Sequence, residues 1–166
     1  MSLHEVNTVD RDSATHIFMQ CCTSKHWVEK MVADRPYNDF NTVRKAADQH
    51  WDQMTEHDYL EAFEGHPKIG DVSSLKAKYA NTKALASGEQ AGANQASDQI
   101  IIALADENRA YEEKYGFIFI VCATGKGAED MLDLLRARLK NDRHRELEIA
   151  SEEQRKIFHL RLEKLL

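Results

Sequence analysis

Three short segments carry side chains suited to proton transfer or anion binding. Residues 63–70 read Phe63-Glu64-Gly65-His66-Pro67-Lys68-Ile69-Gly70. Imidazole titrates near neutral pH and is the usual side chain for moving protons. Gly65 is expected to end a helix in a positive-φ conformation, and Pro67 to push His66 out of the α region. His66 then sits on a stiff corner, either as a plain turn residue or as a catalytic imidazole. The second segment is Ser87-Gly88-Glu89-Gln90-Ala91-Gly92-Ala93. Ser87 and Gln90 fit a capping box, and Glu89 suits the positive end of a helix dipole. The small residues around Glu89 equally let a ligand approach a helix N-terminus, where N–H groups suit anionic or carbonyl oxygens. The third candidate is Arg161, four residues after Ile157 on a final helix. A guanidinium within or beside an apolar stripe either snorkels to water or holds an anion.

The elements that position these groups read as helices. Only two prolines, Pro36 and Pro67, and seven glycines punctuate 166 residues, too few for a many-stranded fold. The expectation is one all-α domain over 1–166, a bundle of about seven to nine helices. Asp12 or Ser13 is expected to cap a helix reaching Cys22, and Ser24 one over Lys25 to Ala33. Asn38 or Asn41 opens a helix to about Met54, and the Thr55-Glu56-His57-Asp58 run caps the next. Helices follow over Val72 to Leu85, Ala91 to Lys114 and Ala128 to Leu139, and from Ser151 onward. Phe117-Ile118-Phe119-Ile120-Val121-Cys122 stands apart: it is rich in β-formers with no second strand to pair. It reads either as an extended apolar segment offering backbone groups to a ligand or as a buried helix start.

Composition removes several functions. A net charge of −6 with mixed signs lacks the basic face that nucleic acid requires. No apolar run approaches the roughly 20 residues of a membrane span. The polar stretch Met1 to Asp12 reads as neither a signal nor a transit peptide, so a cytoplasmic location is expected. Cys21, Cys22 and Cys122 contain no Cys-x-x-Cys and read as small buried hydrophobes. His50, His57, His144 and His159 show no tight ligand pair, so no metal is expected. Thr124-Gly125-Lys126-Gly127 lacks the spacing of a phosphate-binding loop and reads as a turn before a helix.

Taken in order, His66-Pro67-Lys68-Ile69-Gly70, Gly88-Glu89-Gln90-Ala91-Gly92 and Tyr115 to Lys126 resemble a known family. Cys21-Cys22-Thr23-Ser24 with Trp27, Arg35-Pro36, Glu153 to Ile157 and Leu160-Arg161-Leu162 extend the likeness over nearly the whole chain. The sequence is similar to 2-oxo-4-hydroxy-4-carboxy-5-ureidoimidazoline (OHCU) decarboxylases of urate degradation. That resemblance implies an all-α homodimer that needs no metal or organic cofactor and forms (S)-allantoin from a ureidoimidazoline. It implies His66 as the catalytic imidazole, with Glu89 orienting it or polarising the substrate. Pro67, Ser87 and Gln90 would line the ligand. Ile118, Phe119 and Ile120 would hold its polar ring edges, and Arg161 would clamp an oxygen. Gly127 stands where many relatives carry serine, and Gly88 where they often carry a hydroxyl residue. The rival expectations are a non-enzymatic helical ligand-binding domain and a racemase or hydrolase acting on related ureides.

Overall fold

Side-chain acceptors at helix starts set most of the element boundaries. The computed structural model describes residues 1–68, 72–79 and 91–166. Among them are nine helices and no strand: α1 Leu3–Thr8, α2 Arg11–Met19, α3 Lys25–Ala33, α4 Phe40–Asp52, α5 Glu56–Glu64, α6 Val72–Lys78, α7 Ala91–Tyr115, α8 Ala128–Arg138 and α9 Arg143–Leu165. The all-α expectation therefore holds. Ser24 caps α3 as read from the sequence. Asp58 closes the start of α5 by accepting from the Thr55 N–H and hydroxyl, both at 3.0 Å.

Other boundaries differ from the sequence reading. Asp10, not Asp12 or Ser13, caps α2, accepting the Ser13 N–H at 2.7 Å. Asp39, not Asn38 or Asn41, caps α4, accepting the Thr42 N–H at 2.7 Å. In each case a carboxylate three residues ahead reaches an otherwise unpaired amide at the positive helix end. Helix α1 escaped notice because Val6 is its only buried residue. Helix α9 begins at Arg143, well before Ser151, with Asp142 accepting the Arg145 N–H at 2.8 Å. Its first buried position is Glu146, so an apolar-stripe search passes over its opening turns. Helix α6 was expected to reach Leu85; residues 80–90 lie outside the described residues.

The chain divides into two compact units: Met1–His66 with Leu147–Leu166, and Pro67–Glu146. In the first unit the core forms around three fully buried aromatic rings. Phe158 lies 5.1 Å from Trp27 and 5.7 Å from Trp51, centroid to centroid. Each buried indole must also place its N–H. Trp27 donates to the Ala47 carbonyl and Trp51 to the Ser151 carbonyl, both at 3.0 Å. These two bonds tie α3 to α4, and α4 to α9, at fixed heights along the helices.

In the second unit α7 packs on α8, and Gly116 (φ 82°) ends α7 in the left-handed conformation that glycine permits. Residues 117–122 form neither helix nor strand, and no strand lies among the described residues, which excludes the buried helix start that one sequence reading offered. Side chains do the work a neighbouring strand would do. Arg138 Nη1 donates to the Ile120 carbonyl at 2.5 Å, and Arg143 Nε to the Tyr115 carbonyl at 3.0 Å. The Arg138 guanidinium lies 4.5 Å from the Phe119 ring centroid and also donates to Glu146 Oε1 at 2.5 Å. Tyr111 and Asn141 complete the Glu146 carboxylate at 2.5 and 2.9 Å. A buried ion pair is tolerated when its remaining donors and acceptors are met in this way. The turn after the segment places Gly125 at φ 73°, with the Lys126 N–H bonded to the Ala123 carbonyl, as the turn reading anticipated.

Candidate functional site

Helix α5 ends against α3's leading loop, and the contact explains Gly65. Its backbone is right-handed (φ −72°, ψ −11°), so the expected positive φ is not what requires glycine here. The requirement is space. A Cβ on Gly65 would stand 2.5 Å from Thr23 Cγ2 and 2.8 Å from Thr23 Cβ, and closer still to the hydroxyl. Thr23 cannot withdraw freely, because its Oγ1 donates to the Glu61 and Ala62 carbonyls at 3.1 and 3.2 Å. The stacked Gly65 lets the chain turn closely, and the His66 N–H closes on the Phe63 carbonyl at 3.1 Å.

The half-buried His66 ring points Nε2 at Gln154 Oε1, 2.6 Å away. Gln154 is fully buried on the face of α9 that also carries Ser151, Phe158 and Leu162. That face, rather than the Ile157, Leu160 and Leu165 stripe, is the buried one. Arg161 lies seven residues beyond Gln154, on the same side of the helix and roughly 10 Å along its axis. Its Nη1 donates to the Cys21 carbonyl at 3.2 Å, and its other donors bond no described residue. Three influences act on His66. Burial is the largest and lowers its pKa below the ordinary 6.5; the Gln154 bond raises it; the Arg161 charge lowers it. Burial thus disfavours the charged imidazolium.

The structure thus brings His66 and Arg161 into one electrostatic environment. Sequence reasoning passed over Gln154, although its seven-residue spacing from Arg161 places both on one helix face. Cys21 and Cys22 are buried thiols whose pKa values are pushed up to about 11 and about 12, chiefly by burial, so they stay protonated. Pro67, Ile118, Phe119 and Ile120 belong to the second unit. There Phe119 and Ile120 are buried, Ile118 is half-buried, and the Ile120 carbonyl already accepts from Arg138. Ser87, Glu89 and Gln90 lie outside the described residues. Among the described residues no group of three or more His, Cys, Asp or Glu is placed to hold a metal ion. His50 and His159 instead meet single carboxylates, Asp34 at 2.6 Å and Asp48 at 2.7 Å. No helix of the described residues is long and apolar enough to cross a membrane.

An all-helical fold thus holds the His66 imidazole against Gln154 and within the electrostatic reach of Arg161. The sequence pattern of OHCU decarboxylase matches residues 7–163, and the chain belongs to that family. It is 35% identical over 145 residues to the uric acid degradation bifunctional protein TTL of Arabidopsis thaliana, covering 87% of this chain and 45% of that one. A 59-residue stretch is 39% identical to the 2-oxo-4-hydroxy-4-carboxy-5-ureidoimidazoline decarboxylase of Amia calva, 36% of this chain and 34% of the other. The fold superposes on a crystal structure of OHCU decarboxylase in the presence of (S)-allantoin with a TM-score of 0.71 and 31% identity, covering 95% of this chain and 98% of that one. A crystal structure of (S)-allantoin synthase shares the fold alone, with a TM-score of 0.72 and 15% identity over 100% of this chain and 54% of that one. The chain spans less than half the length of the bifunctional relatives from Arabidopsis thaliana and Bacillus sp. (strain TB-90).

Proposed function

We propose that the protein decarboxylates 2-oxo-4-hydroxy-4-carboxy-5-ureidoimidazoline to (S)-allantoin, with His66 as its proton-transfer residue. The observation that carries the reading is the His66 ring held 2.6 Å from the buried Gln154 amide in a chain of this family, with burial disfavouring its charged form. The substrate bears a carboxylate on a ring carbon next to a C=N bond. When the C–C bond breaks, its electron pair flows into that C=N bond and CO₂ leaves, so the substrate is its own electron sink. The protein must hold the carboxylate out of the ring plane and shield it from water. A proton delivered to one face then gives a single enantiomer. His66 either takes the substrate hydroxyl proton or returns the final one. Arg161 clamps a carboxylate or carbonyl oxygen, with Glu89 polarising the imidazole or the substrate. Pro67, Ser87 and Gln90 line the ligand, and the backbone at Ile118, Phe119 and Ile120 meets its ring edges. A cytoplasmic homodimer without metal or organic cofactor completes the reading.

The test is circular dichroism of the allantoin formed when urate oxidase and hydroxyisourate hydrolase supply the substrate in situ. The protein is expected to produce a rapid (S)-allantoin signal, and His66→Ala to reduce the rate by about 10²–10⁴-fold. Slow racemic product with the intact protein refutes the activity; a His66→Ala rate within about tenfold of the parent refutes the role of His66.

A further inference from the structure

Gln154 carries no charge, yet its polar amide is fully buried with its oxygen against His66. An amide oxygen only accepts hydrogen bonds, so the ring nitrogen facing it must carry a proton. In the opposite amide orientation the NH₂ group would donate to Nε2 and force the ring proton onto Nδ1. Neither nitrogen would then be open to a further proton. With Oε1 facing the ring, as it lies here, one ring nitrogen stays titratable, and the buried Gln154 Nε2 meets no described residue. This orientation also serves both charge states, since the His66 Nε2–H donates to the same oxygen before and after Nδ1 is protonated. No described residue bonds Nδ1.

We infer that Gln154 is a positioning residue: its amide oxygen fixes the proton of His66 on Nε2 and makes Nδ1 the nitrogen that exchanges a proton with the substrate. This rests on the decarboxylase reading for its chemical purpose, but the tautomer itself can be measured without substrate. An amide also suits the task better than a carboxylate. Glutamate at this position would hold the imidazolium in an ion pair and make its proton hard to return. The neutral amide steadies the charged ring enough to offset part of the burial cost while leaving it able to cycle.

The decisive experiment is ¹⁵N-detected histidine NMR across pH on the whole protein, wild type, Gln154→Leu and Gln154→Glu, paired with pH profiles of kcat/KM. In the wild type the His66 spectrum should show a protonated Nε2 and a bare Nδ1. Gln154→Leu should lower the His66 midpoint and Gln154→Glu should raise it. The acid limbs of the two kcat/KM profiles should move the same opposite ways. The Leu variant should lose about 10–100-fold in kcat with little change in KM, the worth of one hydrogen bond to a charged group. A purely structural Gln154 would give no opposed shifts, and that outcome overturns the assignment. So does a bare Nε2 in the wild type, which needs no variant to fold. If the wild type shows the expected tautomer but makes no (S)-allantoin, Gln154 stands and the decarboxylase reading falls. If it is active with Nε2 bare, the reverse holds.

Discussion

Replacing Arg138 by methionine tests whether one guanidinium substitutes for a neighbouring strand. Arg138 and Glu146 side chains are 8% and 0% exposed, and they meet at 2.5 Å. Methionine keeps much of the packing against Phe119 but strands a fully buried carboxylate and removes the donor from the Ile120 carbonyl. Breaking a buried ion pair from one side costs about 3–5 kcal/mol, because the remaining charge is left without compensation. For a chain of this size each kcal/mol moves the melting temperature by about 2–4 °C, so Arg138→Met should melt roughly 6–20 °C lower. Urea unfolding followed by far-UV circular dichroism measures the free energy directly. Adding Glu146→Gln removes the stranded charge and keeps one acceptor oxygen, enough for Tyr111 but not for Asn141 as well. The double variant should therefore recover at least about 1 kcal/mol over Arg138→Met. A loss below about 1 kcal/mol for Arg138→Met, the level of an exposed pair, would refute the argument. So would a double variant less stable than the single.

The Gly65 contact predicts that Gly65→Ala costs about 1–3 kcal/mol by overpacking against Thr23. Thr23→Gly in the same chain should return part of that loss, and equal losses in both backgrounds by thermal melting would dismiss the steric explanation. His66 predicts a pH dependence with a definite sign. Its folded pKa lies below the unfolded 6.5, so the unfolded chain binds more protons between those values. The resulting contribution is complete above 6.5 and is lost as pH falls through the folded pKa. His66→Asn should accordingly narrow the gap between urea midpoints measured at about pH 7.5 and about pH 5.5. An unchanged gap would mean that His66 titrates alike in both states.

Much of the fold was legible because apolar spacing and caps act locally. The stripe Trp27, Val28, Met31 and Val32 with Ser24 ahead of it gave α3 at both ends. That residues 117–122 could lie outside the helices was also legible, from β-formers with no second strand pattern in a proline-poor sequence. What satisfies that segment was not, because Arg138 and Glu146 are charged residues that read as surface until the fold buries them together. The same blindness hid the opening turns of α9. At the candidate site, Pro67 and His66 announced a corner, but the need for glycine at 65 comes from Thr23, which is distant in sequence. Gln154 was silent for a related reason. A lone glutamine in a charged helix signals nothing until His66, 88 residues earlier, lands upon it.

The clamped segment after α7 has a consequence for how this chain can vary. A strand within a sheet can slip by two residues and present the same side chains to the same face. Residues 117–122 have no such freedom. Arg143 holds the carbonyl of Tyr115 and Arg138 that of Ile120, so two fixed side chains mark off a set run of peptide bonds. An inserted or deleted residue between them would detach one guanidinium or the other from its carbonyl. Length, more than the identity of any one side chain, is the heritable property of this stretch. Related chains are expected to exchange its apolar residues freely while keeping the count between the two carbonyls.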